Sequence, residues 1–162
     1  MENIIIRQVK PDDLAEIIVI ENHNFKEEAA SSEAMEERVN TTMDTFLVAE
    51  ISGQVAGYIE GAVIDTDFLT DDLFSHVEKN PSEGGRIAIT SLSIAEKYQD
   101  RGLGKILISA MKEVARLNKR EAITLTCHDY LIDYYQKHDF ILDGKSESAL
   151  AGGVWYNMTW RV

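Results

Sequence analysis

Residues 87–104 read Ile-Ala-Ile-Thr-Ser-Leu-Ser-Ile-Ala-Glu-Lys-Tyr-Gln-Asp-Arg-Gly-Leu-Gly, and this stretch decides the fold. Its apolar alternation predicts a strand up to Ala95, and a short polar turn follows. Apolar residues then recur every three or four positions from Leu103 to Leu117, which predicts an amphipathic helix packed on a sheet. Gly102 and Gly104 fall in the first turn of that helix. The first turn of a helix has unpaired backbone N–H groups, and glycines there let a large anion approach them without meeting a Cβ. Such a turn suits a pyrophosphate.

The composition is that of one globular domain, and we expect residues 1–162 to form it. Two prolines, no repeat and no low-complexity tract leave no place for a domain boundary. The amino terminus carries a charge too early for a signal peptide, and no run of 18 apolar residues occurs. Cys127 is the only cysteine, so no intrachain disulfide can form. We therefore expect a cytoplasmic protein without a membrane partner.

The chain is strongly acidic, with a net charge of −12 from 28 acidic and 16 basic residues. Such a surface repels phosphate backbones, so we expect no nucleic-acid partner. The same field attracts cations and favours an amine as substrate. An acidic surface that serves only solubility explains the charge equally well.

The remaining patterns alternate between strand and helix. Residues 65–85, rich in acidic residues and interrupted by Pro81, predict either a lid or an ordinary surface loop. The other predicted elements are a strand at 4–9, a helix after Pro11, a helix starting at Ser31 or Ser32, a hairpin of 46–51 and 55–64, a strand at 122–127, a helix at 130–138, and strands around 140–145 and 154–162. Together they predict an α/β (α+β) protein with a mixed, mostly antiparallel central sheet flanked by helices.

The segment from Gln99 to Gly104 fits the Gln/Arg-x-x-Gly-x-Gly/Ala signature of the GNAT family of acyl-CoA N-acyltransferases. The predicted order of elements, β-α-α-β-β-β-α-β-α-β-β, also resembles the GNAT fold. The resemblance implies that the strands at 87–95 and 122–127 splay apart and admit the pantetheine arm of acetyl-CoA, which would be the co-substrate.

The same resemblance assigns the cofactor-binding residues. The CoA pyrophosphate would be held by a short run of backbone N–H groups, with the Gln99 side chain as a further contact. The residues of that run are Arg101, Gly102, Leu103, Gly104 and Lys105. Leu92, Ser93 and Ile94 would pair their backbone with the pantetheine amides, as an added strand pairs with an open edge.

The segment from Asp129 to Phe140 resembles the later GNAT motif Cys-Glu-x-x-Leu-x-x-Phe-Tyr-x-x-x-Gly-Phe, which Cys127 and Tyr135 match. Tyr135 is therefore our candidate catalytic acid, because a neutral phenol can protonate a departing thiolate. An ordinary packing role for this tyrosine is the alternative. The sequence departs from the motif in having Asp139 where the motif has glycine and His128-Asp129 where it has glutamate.

Vertebrate-type arylalkylamine enzymes of the family carry two histidines on the strand before the signature, and here Ala88 and Thr90 stand at those positions. A different base, or a water chain, is then needed. Glu60 is our catalytic candidate for it and Glu28 the second candidate, although a solvated surface carboxylate is the plainer interpretation of each.

Phe25-Lys26-Glu27-Glu28-Ala29-Ala30-Ser31-Ser32-Glu33 resembles the Phe-x-x-x-Glu-Ala-Ala-Ser-x-Glu stretch of microbial and fungal arylalkylamine N-acetyltransferase-like enzymes. We therefore place Glu28 and Phe25 at the acceptor substrate. Trp155 and Tyr156 are further candidates for an apolar acceptor pocket, and core packing would explain them as well.

The sequence thus predicts an acetyl-CoA-dependent N-acetyltransferase acting by direct attack of a small primary amine, an arylalkylamine or a polyamine-like acceptor. Acetylation of a protein N-terminus or lysine, and a non-catalytic acyl-CoA binding or sensing module, are the alternatives.

The four histidines lack metal-site spacing, so we expect no metal. A ping-pong role for Cys127 is disfavoured, because no histidine except its neighbour is placed to activate it. A homodimer remains open.

Overall fold

The structure, a computed structural model, describes residues 3–162. It contains one seven-stranded sheet and four α-helices. The strands are β1 (Ile4–Gln8), β2 (Phe46–Ile51), β3 (Gln54–Ile64), β4 (Arg86–Ile94), β5 (Ala122–Cys127), β6 (Ile141–Lys145) and β7 (Tyr156–Arg161). The helices are α1 (Leu14–Phe25), α2 (Ser32–Thr41), α3 (Leu103–Leu117) and α4 (Ile132–Gln136).

The strand order is β1-β2-β3-β4-β5-β7-β6, and every neighbouring pair is antiparallel except β4 and β5. The parallel pair arises because α3 carries the chain from the end of β4 back to the start of β5. The predicted mixed, mostly antiparallel sheet is therefore confirmed.

β4 and β5 pair along only part of their length. Their register runs from Arg86 opposite Ala122 to Ile89 opposite Leu125 and then stops. β4 continues to Ile94, bonded on its other side to β3, and a bulge at Thr90 marks the point where the register with β3 shifts. The two parallel strands thus separate, as expected, and leave an open edge on β4.

The two faces of the sheet are covered by different helices. Successive residues of β3 point to opposite faces, so Tyr58 packs in a cluster with Ile17 of α1 and Met35 of α2. Its neighbour Ile59 packs in the cluster that contains α3 and α4 residues such as Leu107. Helices α1 and α2 therefore cover one face, and helices α3 and α4 cover the other.

Most predicted boundaries agree with the structure to within one or two residues. Ser31 is the N-cap of α2, and its hydroxyl accepts a hydrogen bond from Ala34 N at 3.1 Å. The helix predicted at 130–138 is shorter, because a 3₁₀ turn precedes α4 and Asp139 adopts φ +70° just after it. Across residues 3–162, no helix has the length and apolar character needed to cross a membrane.

Candidate functional site

A cleft of about 360 Å³ opens where β4 and β5 separate. Its wall includes residues of α1 and α4, which lie on opposite faces of the sheet, so the cleft passes through the sheet. It is lined by Glu21, Asn24, Phe25, Glu28, Phe74, Ile89, Thr90, Ser91, Leu92, Leu125, Thr126, Cys127, His128, Tyr130, Leu131, Tyr135, Leu150 and Trp155.

The turn before α3 begins the helix with backbone N–H groups that no helical carbonyl accepts. Gly102 is the N-cap residue at φ +80°, a left-handed conformation that glycine adopts without strain, and a Cβ there would point into open space. The first backbone bond of the helix runs from Ile106 N to Gly102 O. The N–H groups of Leu103, Gly104 and Lys105 therefore have no carbonyl partner within the helix, as the pyrophosphate prediction requires.

Side chains around this turn crowd Gly104 and leave Gly102 open. The Tyr134 hydroxyl lies against Gly104, where a Cβ would collide with it. The Arg101 guanidinium lies over the ring of Tyr98, 5.5 Å from its centroid. Lys105 is exposed on the first turn of α3. The predicted residues thus form one continuous turn at the start of α3.

The open edge of β4 presents the backbone of two of the three predicted residues. Ala95 N donates to Ala56 O of β3 at 2.8 Å, and backbone direction alternates along a strand. Leu92 and Ile94 therefore direct their backbone groups toward the gap, whereas Ser93 directs its own toward β3. Two side-chain amides, Asn24 Nδ2 at 2.8 Å and Gln99 Nε2 at 3.0 Å, donate to Ile94 O.

Tyr135 lines the cleft from the α4 side. Its ring makes edge contacts with Tyr134 and Phe140, at centroid distances of 5.2 and 5.7 Å. Burial raises the pKa of the Tyr135 phenol, and the nearby Tyr134 and Cys127 raise it further. Within residues 3–162 its hydroxyl has no hydrogen-bond partner. The raised pKa keeps this phenol neutral, and therefore able to donate a proton, but it also makes the phenol a weaker acid.

Glu60 is not the surface carboxylate that the sequence suggested. It is 1% exposed, and its Oε2 accepts hydrogen bonds from Arg38 Nη1 at 3.1 Å and Thr90 Oγ1 at 2.5 Å. Burial raises the pKa of Glu60, although the charge of Arg38 opposes the shift. Glu60 does not line the cleft. Glu60 is instead held by Thr90, at the bulge of β4, and by Arg38, which lies on the buried face of α2.

Glu28 and Phe25 line the cleft from the connection between α1 and α2. Glu28 Oε2 lies 3.0 Å from His128 Nε2, and the His128 ring stacks on Trp155 at a centroid distance of 4.0 Å. The His128 Nδ1 atom lies 3.2 Å from Val154 O. The sequence did not predict the His128 contact, because the two partners are 100 positions apart and His128 follows the end of β5.

Glu21 is a second cleft residue that the sequence analysis missed. It is 3% exposed, and it accepts hydrogen bonds from Tyr58 Oη at 2.7 Å, Ser91 Oγ at 3.1 Å and Ala30 N at 3.0 Å. Its position could have been noticed, because Glu21 continues the apolar stripe of α1 that includes Leu14 and Ile17. A carboxylate on a buried stripe indicates a specific contact.

Cys127 also lines the cleft, but its chemistry is that of an inert thiol. Burial raises the pKa of Cys127 to about 11. A thiol with that pKa is almost fully protonated at neutral pH and is a poor nucleophile. Residues 3–162 contain no group of three metal-ligating side chains placed to hold an ion.

Solved structures of other proteins share this fold. The loading GNATL domain of CurA from Lyngbya majuscula has a TM-score of 0.80 at 16% identity, with 98% of each chain covered. Ribosomal-protein-alanine N-acetyltransferase from Brucella melitensis has a TM-score of 0.72 at 22% identity, covering 98% of this chain and 99% of that one. Arabidopsis thaliana Naa50, in complex with the bisubstrate analogue CoA-Ac-MVNAL, has a TM-score of 0.74 at 13% identity, with coverage of 98% and 99%.

At these identities the solved structures show a common fold, and they do not define a substrate. A search of curated protein sequences found no significant match. The model of the acetyltransferase (GNAT) family matches residues 12–140, which include the α3 turn, β5 and Tyr135. The protein therefore belongs to the acetyltransferase (GNAT) family.

Proposed function

We propose that the protein transfers the acetyl group of acetyl-CoA to a small primary amine by direct attack, with Tyr135 as the acid for the departing thiolate. The observation that carries the proposal is the cleft through the sheet, which joins the face that holds Tyr135 and the start of α3 to the face that holds Glu21 and Glu28. The family match over residues 12–140 supports a single N-acetyltransferase domain.

Acetyl-CoA fits the face covered by α3 and α4. The N–H groups of 103–105 would bind the pyrophosphate, and the edge groups of Leu92 and Ile94 would pair with the pantetheine amides. The CoA-containing analogue on Naa50 supports this use of the fold. Asn24 and Gln99 would have to share or release the Ile94 carbonyl, because both now donate to it.

The amine fits the other face, where the cleft wall is acidic and aromatic. Glu21 and Glu28 would attract an ammonium group, and Phe25 and Trp155 would contact its hydrocarbon part. This lining supports the arylalkylamine-like or polyamine-like acceptor that the Glu28–Glu33 resemblance suggested. Tyr156 is not part of the lining.

The groups that line this cleft, together with solvent, account for each bond and each proton of the reaction. The neutral amine nitrogen forms a bond to the thioester carbonyl carbon, and the carbon–sulfur bond then breaks. The attacking nitrogen gives up a proton toward the acidic wall and solvent, while the thiolate takes a proton from the Tyr135 hydroxyl. Solvent reprotonates Tyr135 after the thiol has left.

A contact at the acceptor end favours small molecules over polypeptides. Asp71, in the 65–85 segment, accepts hydrogen bonds from Ser148 Oγ at 2.5 Å and Ala149 N at 3.1 Å. Phe74 of the same segment and Leu150 both line the cleft. Residues 65–85 and 146–153 would thus act as a lid over the amine.

The experiment is thiol release from acetyl-CoA with a panel of arylalkylamines, polyamines, amino acids and basic peptides, corrected by a blank without amine. We expect turnover with one class of small amine. Turnover with peptides alone would favour protein N-terminal or lysine acetylation. Tight CoA binding without turnover on any acceptor would favour the sensing module.

A further inference from the structure

Two carboxylates line the cleft, and they differ in the side chains that contact them. Glu28 is paired with His128, whose Nε2 lies 3.0 Å away. Neither lysine nor arginine is among the lining residues. The ion pairs found within residues 3–162 do not include Glu21. Glu21 is therefore the carboxylate of the cleft wall that has no basic side chain against it.

The hydrogen bonds of Glu21 keep it in place without cancelling its charge. Its three donors, the Tyr58 and Ser91 hydroxyls and the Ala30 N–H, are all neutral. The neighbouring buried carboxylate, Glu60, has its own counterion in Arg38. Since a buried charge is costly unless a partner of opposite sign meets it, the cleft is built to receive one positive charge beside Glu21.

The reacting amine cannot supply that charge throughout the reaction. Its nitrogen must be neutral to attack, so a monoamine loses its attraction to Glu21 as the transition state is approached. An acceptor with a second ammonium group keeps the ion pair in both the bound state and the transition state, and the second group also orients the chain. We propose that Glu21 binds the non-reacting ammonium group of the acceptor, and that the acceptor is a small diamine. This inference rests on the proposed function.

The test compares three acceptors of equal chain length: 1,5-diaminopentane, 5-amino-1-pentanol and pentylamine. At saturating acetyl-CoA we expect kcat/KM for the diamine to exceed the other two by about 10- to 100-fold, the range of a charge-assisted hydrogen bond. In Glu21→Gln the ratio of kcat/KM for the diamine to kcat/KM for the monoamines should fall to within about threefold. Glu27→Gln removes an exposed carboxylate that follows α1 and lies outside the cleft lining, and this variant should keep the preference.

Two results would overturn the inference while leaving the proposed function intact. One is a wild-type enzyme that acetylates all three amines equally well, a result that does not depend on how any variant folds. The other is a Glu21→Gln enzyme that loses kcat equally on all three, which would make Glu21 a proton acceptor instead.

Failure of the proposed function has a different signature, in which no amine releases thiol. Calorimetry of 1,5-diaminopentane against the CoA-loaded protein then still tests Glu21. Binding that is at least about tenfold weaker in Glu21→Gln supports the subsite, and equal or absent binding in the two proteins overturns it.

Discussion

Glu21 and Tyr135 line one cleft, although α1 and α4, which carry them, pack on opposite faces of the sheet. The cleft exists because the register of β4 and β5 ends at Ile89 and Leu125. A closed sheet would keep the acidic face and the Tyr135 face apart. In the proposed reaction this opening would let an amine bound on one side meet an acyl group held from the other.

The glycine at the start of α3 provides a first test, with a glycine of matched conformation as the control. Gly102→Ala and Gly53→Ala each place a Cβ in open space at φ +80° and +76°, so each should cost about 1–2 kcal/mol of unfolding free energy. Gly102→Ala alone should weaken CoA binding, by about tenfold or more, because the added Cβ lies in the turn where the pyrophosphate is proposed to bind. Calorimetry and urea unfolding measure the two effects. Equal CoA affinity in both variants would remove the anion site from this turn.

The Tyr135 hydroxyl is predicted to act in chemistry rather than in folding. Tyr135→Phe should lower kcat by at least about tenfold and leave stability almost unchanged, because the hydroxyl makes no hydrogen bond within residues 3–162. Tyr134→Phe, one residue earlier, is the control and should retain most of kcat. A smaller loss in Tyr135→Phe than in Tyr134→Phe would assign the acid elsewhere. Since burial raises the pKa of Tyr135, the rate should not fall between pH 7 and its ordinary value of about 10 through loss of this proton.

Cys127 is predicted to stay unacylated. Its pKa of about 11 leaves little thiolate at neutral pH, so mass spectrometry after incubation with acetyl-CoA alone should detect no added acetyl group on Cys127. Initial rates should follow a sequential pattern in which both substrates bind before either product leaves. An acetylated Cys127 that disappears when amine is added would establish a ping-pong route.

The hydrogen bonds of Asp71 are predicted to affect binding of the amine acceptor and not binding of CoA. Asp71→Ala removes the hydrogen bonds to Ser148 and Ala149, so KM for the amine should rise by about threefold or more while CoA affinity stays unchanged. Glu78→Ala changes an exposed carboxylate of the same segment and is the control. An unchanged amine KM in Asp71→Ala would mean that residues 65–85 form a surface loop without a lid function.

Asp13 gives a prediction for stability against pH. It accepts hydrogen bonds from Arg7 Nη1, Arg7 Nη2 and Lys10 N at 2.8, 2.9 and 2.7 Å. Burial acts to raise the pKa of Asp13, but these bonds outweigh it and hold the pKa below its usual value. The stabilisation is therefore present at neutral pH and is lost as the pH falls below about 3.9 and through the folded-state pKa.

Asp13→Asn should accordingly cost about 1–3 kcal/mol at pH 7, and the difference from the wild type should shrink on acidification. Urea unfolding at several pH values measures it. A difference that grows toward low pH would contradict the assigned direction.

The sequence was most informative where one local pattern determines the structure. The strand at 122–127 and the helix from Leu103 to Leu117 were predicted with their observed bounds, because apolar periodicity fixes both. The resemblance to the GNAT fold came from the order of all the predicted strands and helices. The helix predicted at 130–138 was too long at both ends, because the apolar pattern does not distinguish α4 from the 3₁₀ turn before it and the turn after it.

The candidate site was less predictable, because its partners come together only through the tertiary fold. Glu28 meets His128 across 100 positions, and Glu60 is buried because Arg38 lies on the inner face of α2. No local sequence pattern indicates which distant residues will contact each other in this way. The roles of Tyr135, Glu60 and the cofactor-binding residues remain predictions, as does the cytoplasmic location.

The most direct test of the account is a single reaction that quantifies two products, the free thiol of CoA and the acetylated amine, with 1,5-diaminopentane and a basic peptide as competing acceptors. The account predicts one equivalent of N-acetylated diamine for each thiol released, with the peptide unmodified. Thiol release matched by acetylated peptide, or by neither product, would contradict acetyl transfer to a small amine.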